Sequence, residues 1–228
     1  MIISNRETLS NPHVVFRGES IKIVKKIKFL GILIDDGLKF TEHVNNTHLK
    51  ISRAIGAIRR IRPCINDCIL RKLYYSLVYP HINYGIVVWG NSSNLCINKM
   101  CSLQRRFMRM FSQNAINYAG EMFTYNSIYE YFTCIKFYKC FNLGIHSYFT
   151  EHIRNYVPVH SHRTRFTDNE RLNLPRHRLA SSQKYFLYSS IKVWNTLPMY
   201  LRNLSSMNSF KSNLKLHILN NQFIDRQI

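Results

Sequence analysis

Residues 41–63 read TEHVNNTHLKISRAIGAIRRIRP, and the spacing of their apolar side chains decides the fold class. The apolar positions recur about every 3.6 residues, which predicts an amphipathic helix with one buried side. They are Val44, Ile51, Ile55, Ile58 and Ile61. Thr41 is the candidate N-cap, and the helix is expected to end before Pro63. The basic residues fall mainly on the remaining face; they are Lys50, Arg53, Arg59, Arg60 and Arg62.

The chain beyond Pro63 continues with helical patterns. Asn66 or Asp67 is expected to cap a second helix that ends near Pro80. Its predicted inward residues are Ile69, Leu73, Tyr74, Leu77 and Val78. Further helices are predicted at about 95–111, 125–149, 185–194 and 210–219. Residues 151–183, rich in His, Arg, Asn, Ser and Pro, are predicted to form a basic loop.

Residues 20–40, SIKIVKKIKFLGILIDDGLKF, are instead typical of strands. Ile21, Ile23 and Ile27 alternate with lysines, which predicts a half-buried strand, and residues 29–34 suit a buried strand. Asp35-Asp36-Gly37 is a turn sequence expected to close the hairpin. The predicted fold is mainly α: a short N-terminal β-hairpin in 1–40, a helical bundle in 41–115 and a helical C-terminal region in 116–228.

The charge of the chain indicates a polyanionic partner. Lys and Arg number 32 against 12 Asp and Glu, a net charge of +20, while 46% of the residues are hydrophobic. A folded chain this basic is neutralised most readily by nucleic acid, and the 14 Tyr and 14 Phe suit contacts with bases or sugars as well as a core. The basic clusters are Lys22/Lys25/Lys26/Lys28, Arg59/Arg60/Arg62, Arg105/Arg106/Arg109, Arg163/Arg165 and Arg176/Arg178.

No complete catalytic or metal site is evident in the sequence. Asp35 and Asp36 could bind metal ions after an apolar strand, but no third carboxylate is supplied nearby, which favours a turn. The cysteine spacings Cys64/Cys68, Cys96/Cys101 and Cys134/Cys140 favour small apolar positions on helices over zinc binding. We therefore expect no catalytic residue, metal or cofactor. The rival hypothesis is a metal-dependent nuclease or polymerase that uses Asp35 and Asp36.

The N-terminal residues show no signal-peptide pattern, and no apolar run is long enough to span a bilayer. We expect an intracellular protein, in the nucleus or cytoplasm, with no membrane partner and with reduced cysteines.

Several motifs together resemble the C-terminal third of a reverse transcriptase of jockey-like non-LTR retrotransposons. The matching stretches are FLGILID (29–35), KISRAIGAIRR (50–60), LYYSLVYPHINYG (73–85), VWG (88–90), LQRR (103–106), HRTR (162–165), WNTLP (194–198) and FK (210–211). They follow the family's order over nearly the whole chain. The resemblance implies the end of a palm in 1–40, a thumb-like bundle in 41–115 and a C-terminal extension in 116–228.

The resemblance also implies site residues and a partner. Phe29, Leu30 and Gly31 would form a primer-grip-like hairpin. The expected nucleic-acid contacts are Lys50, Arg53, Arg59, Arg60, Arg105, Arg106, Arg109, Arg163 and Arg165. The partner would be an RNA–DNA or RNA duplex, with a separate palm and fingers polypeptide as a further candidate. The family's catalytic aspartates, which bind Mg²⁺ in the parent polymerase, have no counterpart here, so we expect a truncated fragment that is not itself an enzyme; the alternatives are a non-functional relic or a basic nucleic-acid-binding protein with no polymerase role.

Overall fold

The computed structural model describes residues 3, 14–112, 121–157, 171–177, 179 and 182–227. The fold is mainly α, as predicted, with β-hairpins before the helices. Strand β1 (Val14–Phe16) pairs antiparallel with β2 (Glu19–Ile21), and β3 (Lys26–Phe29) pairs antiparallel with β4 (Ile32–Asp35).

The turn of the second hairpin lies at Leu30-Gly31, so the prediction of one buried strand over 29–34 is wrong. Both turn residues have positive φ, 45° at Leu30 and 81° at Gly31. Two-residue hairpin loops favour such angles because they match the twist of the flanking strands. The half-buried strand predicted from Ile21, Ile23 and Ile27 is also wrong: all three side chains are exposed. Within the described residues no second sheet layer covers them.

The helices follow in chain order. They are α1 (Thr41–Ile61), α2 (Asp67–Leu73), α3 (Tyr79–Asn83), α4 (Ile86–Trp89), α5 (Asn94–Met108), α6 (Tyr125–Phe141), α7 (Ser147–Arg154), α8 (Phe186–Thr196), α9 (Met199–Arg202) and α10 (Met207–Gln227). Asn66 caps α2 as predicted, because its side chain accepts a hydrogen bond from the Ile69 N–H. The predicted cap at Thr41 is wrong by one residue, since Phe40 occupies that position.

A π-helical turn, Tyr74–Val78, joins α2 to α3. Pro80 follows it and lacks the N–H that a regular helix would direct to the Ser76 carbonyl. Leu70, Tyr74 and Val78, spaced four residues apart, are buried, whereas their neighbours Ile69 and Leu77 are exposed. The predicted inward positions of Ile69 and Leu77 are therefore wrong.

Two predictions about the C-terminal half also need correction. The helix expected over 125–149 is divided, because α6 ends at Phe141 and α7 begins at Ser147, with Gly144 at φ 62° between them. The loop predicted over 151–183 is helical at its start, in the last residues of α7. Cys96, Cys134 and Cys140 are buried as expected, but Cys64 and Cys68 are exposed because they flank the turn between α1 and α2.

The apolar side chains form two hydrophobic cores. The first runs from Phe40 to Ile128 and is built by α1–α5 and the start of α6, with Trp89 and Phe107 among its fully buried rings. The second runs from Cys134 to Ile218 and is built by the rest of α6 and α7–α10 around Trp194 and Phe210. Helix α6 therefore contributes to both cores.

Gly56→Ala should stabilise the chain. Gly56 lies in the middle of α1, and a Cβ at that position would have no atom within 4 Å. Glycine inside a helix costs about 0.5–1 kcal/mol relative to alanine, so the free energy of unfolding should rise by about that amount. Urea denaturation followed by circular dichroism measures it; an unchanged or lower value would contradict the open environment of this site.

Candidate nucleic-acid interface

The outward face of α1 carries a stripe of basic residues. At about 100° per residue, Lys50, Arg53, Ala57 and Arg60 fall within an arc of about 80° on the side opposite Ile51, Ile55 and Ile58. All four are exposed, and the three isoleucines are buried. We call Lys50, Arg53 and Arg60 the α1 basic face. Within the described part of the chain, none of its cations forms an ion pair.

Arg59 does not belong to this face. It is exposed, but it projects roughly 100° to one side of Arg60 around the helix axis. Arg59 and Arg60 both lie in the last turn of α1, where a cation also stabilises the helix dipole by about 0.3–1 kcal/mol. Part of the basic character of this end is therefore explained by helix stability alone.

The predicted cluster on α5 lies at the same end of the bundle. Helices α1 and α5 run parallel: Lys99 Nζ donates to Asn45 Oδ1 at 3.0 Å near their starts, and Arg62 Nε donates to the Met110 carbonyl at 2.7 Å beyond their ends. Arg105, Arg106 and Arg109, all exposed, thus lie at the end of the bundle that holds Arg59 and Arg60.

Arg62 is not available for a partner. Its guanidinium donates to the carbonyls of Met110 and Ile65 and pairs with Asp67 at 2.7 Å. Its inclusion in a nucleic-acid-binding cluster is therefore wrong, because its donors hold the α1–α2 turn. The predicted contacts Arg163 and Arg165 lie outside the described residues.

The β3–β4 turn, predicted to be primer-grip-like, is seated on the first core by Tyr84. The Tyr84 hydroxyl donates to the Leu30 carbonyl, and a Cβ at Gly31 would come 3.4 Å from the Tyr84 ring. Gly85, at φ 64°, leaves room for the hairpin, because a Cβ there would lie 2.5 Å from Ile32 Cδ1. The FLG and NYG motifs are therefore in contact.

His43 and Trp89 also support the hairpin. We call Tyr84, His43 and Trp89, the side chains that hold the hairpin against the helices, the hairpin seat. His43 Nδ1 accepts the Leu33 N–H at 3.3 Å, and its ring meets the Trp89 ring edge-on at a centroid distance of 5.3 Å. Trp89 Nε1 donates to the Tyr84 carbonyl at 2.8 Å. No role was predicted for His43, Tyr84 or Trp89, although Tyr84 and Trp89 belong to the NYG and VWG motifs. The glycines beside them, Gly85 and Gly90, are the sequence signal for close packing, since a Cβ at either would meet atoms within 3 Å.

A groove of about 340 Å³ lies between the hairpin and α1. Its lining includes Gly31 and the cations Lys28, Lys50 and Arg53, together with Asn46. At the hairpin tip, Phe29 and Leu30 are 60% and 73% exposed, so apolar side chains stand beside the basic groove. Of the predicted site residues, the fold thus brings Gly31 into the same groove as Lys50 and Arg53, and Phe29 and Leu30 precede Gly31 at the tip of the hairpin.

Asp35 begins a turn, as predicted, but this turn leads from β4 into α1 and does not close the hairpin, whose own turn lies at Leu30-Gly31. Its carboxylate accepts the backbone N–H groups of Gly37 at 3.2 Å, Lys39 at 2.8 Å and Phe40 at 2.7 Å. These bonds fix the entry into α1 and occupy the oxygens of Asp35. Among the described residues, no group of three His, Cys, Asp or Glu side chains is placed to hold a metal ion.

The WNTLP motif has a structural role in the second core. Trp194 is buried there, and the Asn195 amide accepts from the Leu172 N–H at 2.9 Å and donates to the Leu172 carbonyl at 2.8 Å. Residues 171–177, part of the predicted basic loop, are thereby held against α8. Arg176 is exposed on this segment.

Lowering the pH should weaken the hairpin seat. Burial, with the charge of Lys50 adding to it, lowers the pKa of His43 below its usual 6.5. As the pH falls below 6.5, the unfolded chain takes up a proton that the folded chain resists, so stability present above that pH is progressively lost. Urea denaturation at pH 7.5 and 5.5 should show this loss. The loss of stability should be smaller in His43→Gln. Equal losses in the native chain and in the variant would contradict the assignment of this pH dependence to His43.

In the described part of the chain, no helix is both long and apolar enough to cross a membrane. No family model and no solved structure matches the chain.

Curated relatives confirm the resemblance to jockey-like elements. The 115 kDa protein in type-1 retrotransposable element R1DM of Drosophila melanogaster is 27% identical over 85 residues, 36% of this chain and 8% of its own length. The RNA-directed DNA polymerase from mobile element jockey of Drosophila funebris is 26% identical over 104 residues, 44% and 11% of the two chains. The RNA-directed DNA polymerase from mobile element jockey of Drosophila melanogaster is 29% identical over 109 residues, which are 46% of this chain and 12% of the relative. The matched stretch thus spans about a tenth of each relative.

Proposed function

We propose that this chain, similar in part to the RNA-directed DNA polymerases of jockey elements, binds a template–primer duplex as a thumb does. The observation that carries the proposal is the position of the α1 basic face beside the β3–β4 turn. The two features share one groove, and each corresponds to a motif of the resemblance.

The chemistry of the face suits a nucleic-acid backbone. Lys50, Arg53 and Arg60 are exposed cations without acidic partners in the described residues, and Ala57 between them leaves room for a close approach. Lys and Arg bound to phosphates position a duplex without reading its sequence, which suits a protein that must hold any template. The exposed Phe29 and Leu30 are then placed to contact sugars or bases at the primer end.

The proposal assigns binding, not catalysis, to these residues. The aspartates and Mg²⁺ of the parent polymerase would be supplied by a palm outside this sequence, either on the same polypeptide or on a separate one. In this arrangement the chain holds the duplex while the palm performs nucleotide transfer.

The test is fluorescence anisotropy of the purified chain with a labelled RNA–DNA duplex between 50 and 200 mM salt. Binding through three or more phosphates should give a log–log salt slope of about −2.7 or steeper. Duplexes of unrelated sequence should bind with similar affinity. Absent or salt-independent binding by the folded chain would reject the proposal and leave a non-functional relic as the better explanation.

A further inference from the structure

A second and larger pocket, of about 1010 Å³, lies between helices α5, α6, α8 and α10. It is separate from the groove beside the hairpin, and the two share no lining residue. Small-molecule sites usually have volumes of roughly 300–1,000 Å³, so this pocket has room for a ligand of nucleotide size.

One wall of this pocket is cationic. Arg105 in α5 and Arg109, which caps the end of α5, line it one helical turn apart, and both are exposed. Arg105 donates to Ser102 Oγ at 3.3 Å, and neither arginine pairs with a carboxylate in the described residues. Guanidinium groups offer planar, often bidentate donors that match phosphate oxygens. Two of them on adjacent turns provide an anchor for one phosphate group.

The floor of the pocket is apolar. Met108, Cys134 and Ile218 contribute it from α5, α6 and α10, and Leu197 contributes from the position directly after α8. Cys134 is fully buried, and burial raises the pKa of its thiol, so it presents a neutral surface. A methionine thioether packs favourably against an aromatic ring. The floor therefore suits the flat face of a nucleobase.

Polar and ionisable groups stand around the rest of the lining. Asn126 and Asn221 line the pocket with amide groups: Asn126 Oδ1 accepts from Cys101 Sγ at 3.9 Å, so its NH2 can donate to a base, and Asn221 Nδ2 lies 3.2 Å from His217 Nε2, so its oxygen can accept from one. His217 adds no positive charge near neutral pH, because burial lowers its pKa. Glu130 also lines the pocket, from α6.

We propose that this pocket binds one unpaired nucleoside monophosphate unit, with its phosphate on Arg105 and Arg109 and its base on the apolar floor. The unit is either a free nucleotide or an unpaired nucleotide of a bound strand; the recognised chemistry is the same. The inference does not depend on duplex binding by the α1 basic face, because different residues form the two sites.

The experiment uses 2-aminopurine, whose fluorescence responds to burial, in two probes: the free nucleoside monophosphate and a short single strand with one central 2-aminopurine. Titration of the native chain should change the emission of at least one probe in a saturable way. A response to both indicates a pocket open to free nucleotides. A response to the strand alone indicates that the unit is presented by a polymer.

Matched variants make the test specific. Arg105→Ala/Arg109→Ala should weaken probe binding on the order of 10- to 100-fold, as expected for losing charge-assisted hydrogen bonds. For the free nucleotide probe, Arg106→Ala is the control, since Arg106 is exposed on the same helix but does not line the pocket. Thr196→Trp, at an exposed lining position, should block the pocket while leaving the arginines in place.

Substitution of Lys50, Arg53 and Arg60 by alanine should leave binding of the free nucleotide probe intact, which separates this proposal from duplex binding. No saturable response in either probe, or an equal loss in Arg106→Ala, would overturn the assignment. Circular dichroism of each variant establishes that it is folded.

Discussion

The triple variant Lys50→Ala/Arg53→Ala/Arg60→Ala is expected to bind an RNA–DNA duplex on the order of 10²- to 10³-fold more weakly than the native chain at 50 mM salt. Each lost phosphate contact removes the release of about one counterion, so the salt slope should fall by about three. The three side chains are exposed on the side of α1 opposite its buried isoleucines, so their truncation should leave the fold intact. Anisotropy across a salt series measures both effects.

Arg59→Ala is the matched control for this variant. Arg59 is also exposed and lies on the same helix, next to Arg60, but projects away from the α1 basic face. Arg59→Ala should change the salt slope by much less than one third of the change that the triple variant produces. If Arg59→Ala matched Arg60→Ala, binding would follow total charge and not this face.

Trp89→Ala is expected to cost about 3–5 kcal/mol of unfolding free energy. Trp89 is fully buried in the first core, its indole N–H donates to the Tyr84 carbonyl, and its ring packs against His43 and Tyr125. Removing the ring leaves a cavity beneath the hairpin seat and an unpaired carbonyl, two effects that act in the same direction.

Urea denaturation of this variant can be followed by tryptophan fluorescence, because the chain has 2 tryptophans and Trp194 remains in the second core. Leu95→Ala, at a position 65% exposed, is the control and should change stability by less than about 0.5 kcal/mol. If Trp89→Ala lowered the free energy of unfolding by less than about 1 kcal/mol, the neighbouring side chains would have filled the cavity left by the ring.

The helices were predictable because their apolar spacing and caps are local properties. The periodicity of α1 and the cap at Asn66 required no knowledge of the rest of the chain. The hairpin was not predictable in the same way, because an apolar run such as FLGILI is compatible with one strand or with two. Its turn depends on positive φ at Leu30, which an apolar residue rarely adopts, and on Tyr84, 54 residues later in the chain.

The candidate site was predictable only as a set of residue types. Charge alone groups Arg59, Arg60 and Arg62, yet helical geometry directs two of them to different faces and hydrogen bonding commits the third to a turn. The pocket on α5 and α6 joins residues from Cys101 to Gln222, so no window of sequence could contain its pattern. Side-chain chemistry could be assigned from sequence, whereas direction and proximity required the fold.

Helix α6 makes the two cores dependent on each other. Its 17 residues span about 25 Å, with Tyr125 and Ile128 in the first core and Phe137 and Tyr138 in the second. Half of such a helix is too short to persist alone in water, so each core preserves the part of α6 that the other requires. The C-terminal region thus stabilises the bundle that carries the α1 basic face, and substitutions far from that face can destabilise the bundle without removing any of its cations.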